Sequence, residues 1–378
     1  MTAINKVLVT GGAGFIGSFT VDLLIEKDYD VTILDNLEPQ VHFGKIPEYL
    51  NKNAKFVKGD FSNKTTLTPL VKETDAIIHL AASVGVGQSM YLIEKYIENN
   101  TLGTATLLDI LVNKDNNVKK LVVASSMSVY GEGKYCCEKC ETDIYPDLRS
   151  EEQLKRGQWD QICPTCGTPL ISLPTDENKP LFPTSIYAQS KRHQEEMCLL
   201  TGKTYGIPTL ALRYFNVYGS RQSLSNPYTG ACAIFTSRIL NNKSPYIFED
   251  GNQVRDFIHV KEIAKANLKA LEYNNSKNEA INIGTGKPVT IFELAETLTK
   301  LYNKPELKPE ISTEFRKGDI RHCYAETSKA QELLNFKPTT TLQEGLSELA
   351  EWGITHGWNA TDLFDKALNE LKEKNLAT

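Results

Sequence analysis

A doubly wound α/β fold, with a parallel sheet and a smaller second lobe toward the C-terminus, is predicted by three observations. Short apolar runs alternate with longer amphipathic ones through the first half of the chain. The first run opens into a glycine-rich turn and then a helical pattern, VLVTGGAGFIG. The length of 378 residues and the 40% hydrophobic composition supply one large or two smaller buried cores. Strands alternating with helices are βαβ units, whose crossovers make the strands parallel.

Taken in order, the strand in KVLVTG leads into a helix from about Gly14 to Lys27. Strands follow in DVTILDN, KFVKGD and AIIHLAA, then a helix near Tyr91 to Val112 and a strand in KLVVASS. A helix near Ser185 to Thr204 precedes the strand TLALRYFNVYG. Between Gly131 and Pro183 the pattern lapses into Cys, Pro, Glu and Lys with little periodicity, which marks an insertion. Past Tyr218 the chain is loop-rich, with NPYTG, FEDGNQVRDFIHV and NIGTGKPVT, and helices return near Ile291 to Leu301 and Leu342 to Trp352. The domain plan is therefore a Rossmann-like domain of residues 1–134 and 179–217, to which 256–283 returns. Residues 135–178 are the insertion, and 218–255 with 284–378 form the second lobe.

The net charge of -5, with no dominant Lys and Arg run, gives no footprint for a polyanion, so nucleic acid is not an expected partner. The start, MTAINKVLVTGG, runs directly into a strand without a cleavable signal pattern, and no apolar run reaches membrane-spanning length. The expectation is a cytoplasmic protein with no membrane partner. There, Cys136, Cys198, Cys232 and Cys323 are free thiols.

Gly11, Gly14 and Gly17 stand in GxxGxxG spacing between a strand and a helix, with Phe15 and Ile16 in the same turn. Glycines let backbone amides approach a pyrophosphate, and the helix N-terminus adds a favourable dipole. Alone, such a turn also serves tight packing. The second strand ends in Asp35 and Asn36, where a carboxylate accepts the hydrogen bonds of an adenosine ribose. That carboxylate repels a 2'-phosphate and no Arg follows it, which favours NAD over NADP. Asp60 and Phe61 close the third strand, where an acid can meet the adenine amino group; an ordinary turn is the competing reading. Leu80, Ala81 and Ala82 close the fourth, and the small residues there leave room for the cofactor.

SIYAQSK places Tyr187 and Lys191 on one helix face, although such pairs also occur by chance. A free phenol titrates near ~10, too high for a base at neutral pH. A neighbouring ammonium and a positively charged nicotinamide both lower it. This makes Tyr187 a general base and acid, with Lys191 tuning it and holding the nicotinamide ribose. The strand end ASSMSVYG presents hydroxyls at Ser125, Ser126 and Ser128, otherwise a solvated cap.

Together GxxGxxG, SSxSVYG, YxxxK, RYFNVYG and RDFIHV resemble the extended short-chain dehydrogenase/reductases that act on nucleotide sugars, from about Lys6 to Trp352 apart from the insertion. The resemblance implies that Ser126 is the catalytic hydroxyl and that Asn99 of NNTLGT lies near the cofactor. It implies that Phe215 and Asn216 face the nicotinamide and the sugar diphosphate. Arg255, Arg316 and Asp319 match positions that bind the diphosphate or ribose, and arginine suits phosphate because its fork donates two hydrogen bonds. A surface ion pair is the competing reading for each Arg.

Members of the family share an opening step in which the sugar 4-hydroxyl is oxidised to a 4-keto intermediate. In the 4,6-dehydratases an Asp and a Glu follow the catalytic hydroxyl. Here those positions are Met127 and Ser128, which implies a 4-epimerase on a deoxyhexose or hexose nucleotide. A 4,6-dehydratase is the alternative, and a non-catalytic NAD-binding sensor is the alternative of another class. A homodimer is expected from the family, pairing the helices at Tyr91 to Val112 and Ser185 to Thr204, whose apolar faces also suit an internal core.

The insertion carries YCCEKCE and CPTCG, so Cys137, Cys140, Cys163 and Cys166 form CxxC with CxxC. That pattern is a tetrahedral thiolate site, usually structural zinc. In a segment short of apolar residues the metal supplies folding energy and pins a lid beside the active site. A redox dithiol, a nucleic-acid-binding ribbon and a rubredoxin-type iron site compete, and Cys136 is an alternative ligand. His79, in an apolar strand, is a packed core residue rather than a ligand.

Overall fold

The strands follow the apolar runs. In the computed structural model, which describes residues 4–274, 277–357 and 360–378, they are β1 (Lys6–Thr10), β2 (Asp30–Asp35), β3 (Lys55–Lys58), β4 (Ala76–His79), β5 (Lys120–Ser126), β6 (Thr209–Tyr214) and β7 (Glu279–Ile283). They form a 7-stranded sheet in the order β3-β2-β1-β4-β5-β6-β7, every neighbour parallel. The order reverses between β1 and β4, and the crevice at such a switch point is where open α/β sheets bind ligands.

Both faces are covered, which is why the strands read as continuous apolar runs. Val7 and Val9 of β1 point into one core with Val21 and Leu24 of α1 (Phe15–Glu26). Leu8 points into the other, with Leu67 of α2 (Lys64–Lys72), Leu107 of α3 (Gly103–Asn113) and Cys198 of α4 (Ile186–Tyr205). A further helix, α5 (Val260–Glu272), brings Ile263 and Ala266 to the first core.

Three local expectations are corrected. The run TLALRYFNVYG is not one strand. It breaks at Phe215, whose amide donates to Ile283 at 3.0 Å, and the strand Asn216–Tyr218 turns away to pair with Val254–His259. The helix expected over Tyr91 to Val112 is interrupted by a π-helical segment, Ile97–Leu102, the kind of widened turn found at functional sites. Finally, the strand Val254–His259 runs across the boundary expected between 255 and 256.

The second lobe packs the helices Ala231–Leu240, Ile291–Leu301 and Leu342–His356 around Phe235, Phe257, Leu294 and Leu346. Thr290 with Glu293 and Thr341 with Glu344 form reciprocal capping boxes at two of these helix starts. The helices Ala231–Leu240 and Phe364–Glu373 lie in what reads as loop or tail. The insertion forms a small antiparallel sheet, Thr142–Ile144, Lys134–Cys137 and Ile171–Leu173. Among the described residues, no helix is long and apolar enough to cross a membrane.

Candidate active site and metal centre

The glycine turn between β1 and α1 is shaped by close approach. A Cβ on Gly17 would lie 2.2 Å from the Gly11 carbonyl oxygen, and one on Gly11, at φ +70°, would lie 2.8 Å from the Ala81 amide. The turn therefore packs against Leu80 to Ala82, and Leu80 donates to Thr10 at 3.1 Å. Helix α1 begins with no side-chain cap and no acid in its first turn. Its first amides, at Phe15 and Ile16, have no partner inside the helix, which is the donor set a pyrophosphate needs.

Asp35 ends β2 almost fully buried. Its carboxylate accepts from the Ala13 amide at 3.1 Å and the Leu37 amide at 2.9 Å, which fixes it beside the turn with lone pairs to spare. Nε2 of His42, a residue no motif marks, lies 3.9 Å away, and burial pushes that imidazole down. Asp60 does the work of a turn: it accepts from the Ser62 amide at 2.8 Å and from Asn36 at 3.3 Å. The Phe61 side chain is not at the site, because it is buried against Gly103 and edge-on to His79. His79 is a buried core residue, bonded by Thr10 at 2.7 Å and Thr104 at 3.0 Å, and burial pushes it down to about 3. Asn99 is half-buried in the π segment and donates to Ser83 at 2.7 Å.

Tyr187 opens α4 and Ser126 ends β5. Ser185 caps the helix through the Ala188 amide, and the Tyr187 amide donates to Ser89 Oγ at 2.9 Å, so the start of the helix is held from two sides. Burial pushes the Tyr187 phenol up, and a hydrogen bond with Ser126 pulls it back down. Ser126 Oγ also accepts from the Ser128 hydroxyl at 2.9 Å. Ser125 is turned away from the site, donating to buried Glu195 at 2.6 Å, because successive strand residues face opposite sides.

Lys191 is buried and donates to Gln194 Oε1 at 2.7 Å, and Ser126 is the group that lowers Tyr187. Burial pushes Lys191 itself down to about 8. Below that pH the ammonium can donate to a ribose hydroxyl, and above it the charge is lost. Affinity of the cofactor-free protein for NAD is therefore expected to fall between about pH 7 and pH 9, measured by calorimetric titration. A flat profile would remove Lys191 from the cofactor site.

A cavity of about 290 Å³ is lined by Met127, Ser128 and Ser185, each within two positions of Ser126 or Tyr187 in the chain. It extends past Asn216 to Arg255, Arg316 and Asp319, so the expected substrate residues share one wall system. Arg255 donates to the carbonyls of Ile320 at 2.7 Å and Arg321 at 3.0 Å. Arg316 donates to Asp319 at 2.7 Å and lies 4.7 Å over the Phe248 ring. Phe215 is buried with Met127, Tyr130 and Ile320 behind the wall.

A sequence profile described as the NAD dependent epimerase/dehydratase family matches residues 7–151 and 164–284. The chain belongs to this family. It is 34% identical over 352 residues to dTDP-L-rhamnose 4-epimerase of Burkholderia thailandensis, covering 92% of this chain and 94% of that protein. A putative UDP-glucose 4-epimerase of Methanocaldococcus jannaschii is 37% identical over 356 residues, covering 92% and 97%. The solved UDP-N-acetylglucosamine 4-epimerase from Methanobrevibacter ruminantium M1, in complex with UDP-N-acetylmuramic acid, superimposes with a TM-score of 0.75 at 35% identity, covering 94% of this chain and 99% of that one.

The family profile skips residues 152–163, inside the cysteine-bearing insertion. There the Sγ atoms of Cys137, Cys140, Cys163 and Cys166 all lie within 4.8 Å of one another. Cys137 and Cys166 are 3.4 Å apart, and Cys140 and Cys163 are 3.9 Å apart. Sulfurs around a tetrahedral zinc at ~2.3 Å sit about 3.8 Å from each other, so the donor set fits. The Gly167 amide donates to Cys163 at 2.9 Å, closing the knuckle. The Thr168 hydroxyl and amide pull Cys166 down to about 6, whereas its contacts with Cys166 and Cys137 push Cys140 up to about 12. Cys136 lies outside the four-sulfur group. Among the described residues, Tyr135 and Leu170 join Cys137 and Cys163 as the buried core around it.

Several cavity residues carry no motif. Gln253, just before the strand Val254–His259, is one of them. Phe364, Ala367, Leu368 and Leu371 of the last helix also line the cavity. Their spacing is that of an amphipathic helix, so FDKALNELKE was legible as an element though not as part of a site.

Proposed function

We propose that this enzyme is an NAD-dependent nucleotide-sugar 4-epimerase. The observation that carries the reading is the make-up of the cavity wall. Beside the Ser126 and Tyr187 pair stand Met127 and Ser128, and the one carboxylate among the described lining residues, Asp319, is paired with Arg316. No acid and base are left over for elimination of water. Arg255 and Arg316 suit a diphosphate, and 4-epimerases of dTDP- and UDP-sugars are the relatives.

Residues of the glycine turn with Asp35 would hold NAD, which when bound supplies a reversible acceptor for the C4 hydride. Tyr187 takes the proton of the sugar 4-hydroxyl and later returns it, while Ser126 holds the same oxygen through its hydroxyl. Lys191 anchors the nicotinamide ribose. A 4-keto sugar that turns over in the cavity before reduction emerges inverted, with no net redox change. Incubation with dTDP- and UDP-hexoses in deuterated water, followed by NMR, tests this. An epimerase inverts C4 without solvent label, whereas a 4-keto-6-deoxy product carrying solvent deuterium at C5 would establish a dehydratase.

The four thiolates are read as a structural zinc site, since they leave no open position for catalysis. A homodimer is the expected assembly, because Ile93, Leu102 and Leu200 are exposed apolar residues on the two helical segments concerned. Leu200→Arg is expected to convert the dimer to monomer in sedimentation velocity. A wild-type protein already monomeric at micromolar concentration would contradict the assembly.

A further inference from the structure

Arg149 belongs to the insertion, just before the short helix Glu151–Lys155, and no motif marks it. Its side chain is buried and crosses out of the insertion. Nη1 and Nη2 grip the Glu249 carboxylate at 2.8 and 2.9 Å. Nη1 also donates to the Trp159 carbonyl within the insertion at 2.8 Å, and Nη2 donates to the Asp319 carbonyl at 3.1 Å.

Asp319 is part of the turn that lines the cavity with Arg316, Lys317, Gly318 and Ile320. The next two carbonyls of that turn, Ile320 and Arg321, are the acceptors of Arg255. Three successive carbonyls are thus held by two guanidinium groups, one from the insertion and one from the substrate wall. The Arg321 amide is fixed as well, by Glu132 at 2.7 Å, and its buried side chain joins Asp160 of the insertion at 2.8 Å to Asp250 at 2.6 Å. No residue of 135–178 lines the cavity itself. The insertion reaches the site through these bonds and through the ion pair of its Glu151 with Lys317 at 3.2 Å.

We propose that Arg149 is a positioning residue for nucleotide-sugar binding. It acts through the Asp319 carbonyl to set the 316–321 turn, and through that turn it sets the direction of Arg255. Arg255 can present its remaining donor edge to a diphosphate only while the Ile320 and Arg321 carbonyls stay in place. The identity of the ligand rests on the function proposed above; the mechanical link does not.

The test uses the full-length, metal-loaded protein and UDP and dTDP as probes, with calorimetry for binding and steady-state kinetics for turnover. Arg149→Met is expected to raise the Kd of the bound probe and the KM of the sugar nucleotide at least about tenfold, with a smaller change in kcat and unchanged NAD affinity. Arg149→Lys, which keeps the charge but not the fork, is expected to recover part of the loss. Since Arg149→Met leaves the buried Glu249 carboxylate with only the longer Arg321 contact at 3.3 Å, the double variant Arg149→Met with Glu249→Gln is the safer form, and it should keep the same defect because Asp319 still lacks its donor. Unchanged probe affinity in a folded double variant would overturn the proposal. So would a loss of NAD affinity and melting temperature in step with KM, which marks a purely structural residue. If the wild type binds neither probe, the ligand assignment fails, and this proposal fails with it.

Discussion

Replacing Tyr187 by Phe lowers kcat by about 10²- to 10⁴-fold, the usual contribution of one positioned acid-base group. The substitution removes only the phenolic oxygen. The ring stays edge-on to Tyr96 at 6.4 Å, and the backbone bond to Ser89 is untouched, so fold and NAD affinity should hold. Single-turnover kinetics with NAD content measured on the same sample checks both halves. Turnover within a factor of a few of wild type would take the proton transfer away from Tyr187. The phenol also carries a pH signature: burial raises it in the free protein, so its ionisation depends on Ser126 and on the positive nicotinamide.

With zinc on the four thiolates, as proposed, its removal is expected to produce the largest structural effect. Structural zinc contributes on the order of 10–16 kcal/mol of apparent binding energy in small domains, and the insertion has little apolar core to replace it. Cys163→Ser should abolish stoichiometric zinc and open 135–178 to proteolysis. The glycine turn lies in the parallel-sheet domain with its own core, so NAD binding should survive. Metal analysis of the wild type, with cobalt substitution to report four thiolates by absorbance, gives the reference. Protein purified without any metal, yet with an intact and protease-resistant insertion, would contradict the site.

The parallel sheet was legible because strands buried on both faces leave unbroken apolar runs ending in glycine, small residues or acids. Val7 to Thr10 and Lys120 to Ser126 are examples. The cluster of four cysteines was legible because two CxxC pairs each bring two thiols within reach of one point. Much of the rest depends on pairings between distant residues. Glu249 finds Arg149 across 100 residues, and nothing local marks either partner. The strands Tyr246–Ile247, Glu310–Ile311 and His322–Cys323 are too short to show a period. Helical spacing puts Lys191 on the face of Tyr187, but it did not show that Gln194 on the same helix accepts from the ammonium. Phe61 and Ser125 show that a side chain's face follows from strand pleat and core demand, even where its neighbours are at the site.

The most direct measurement is the fate of deuterium placed on C4 of the sugar nucleotide that turns over, followed in ordinary water. Retention of the label on C4 of the inverted product is the expected result, because Tyr187 moves only the hydroxyl proton. Loss of the label to solvent, or a stable keto product, would contradict the account.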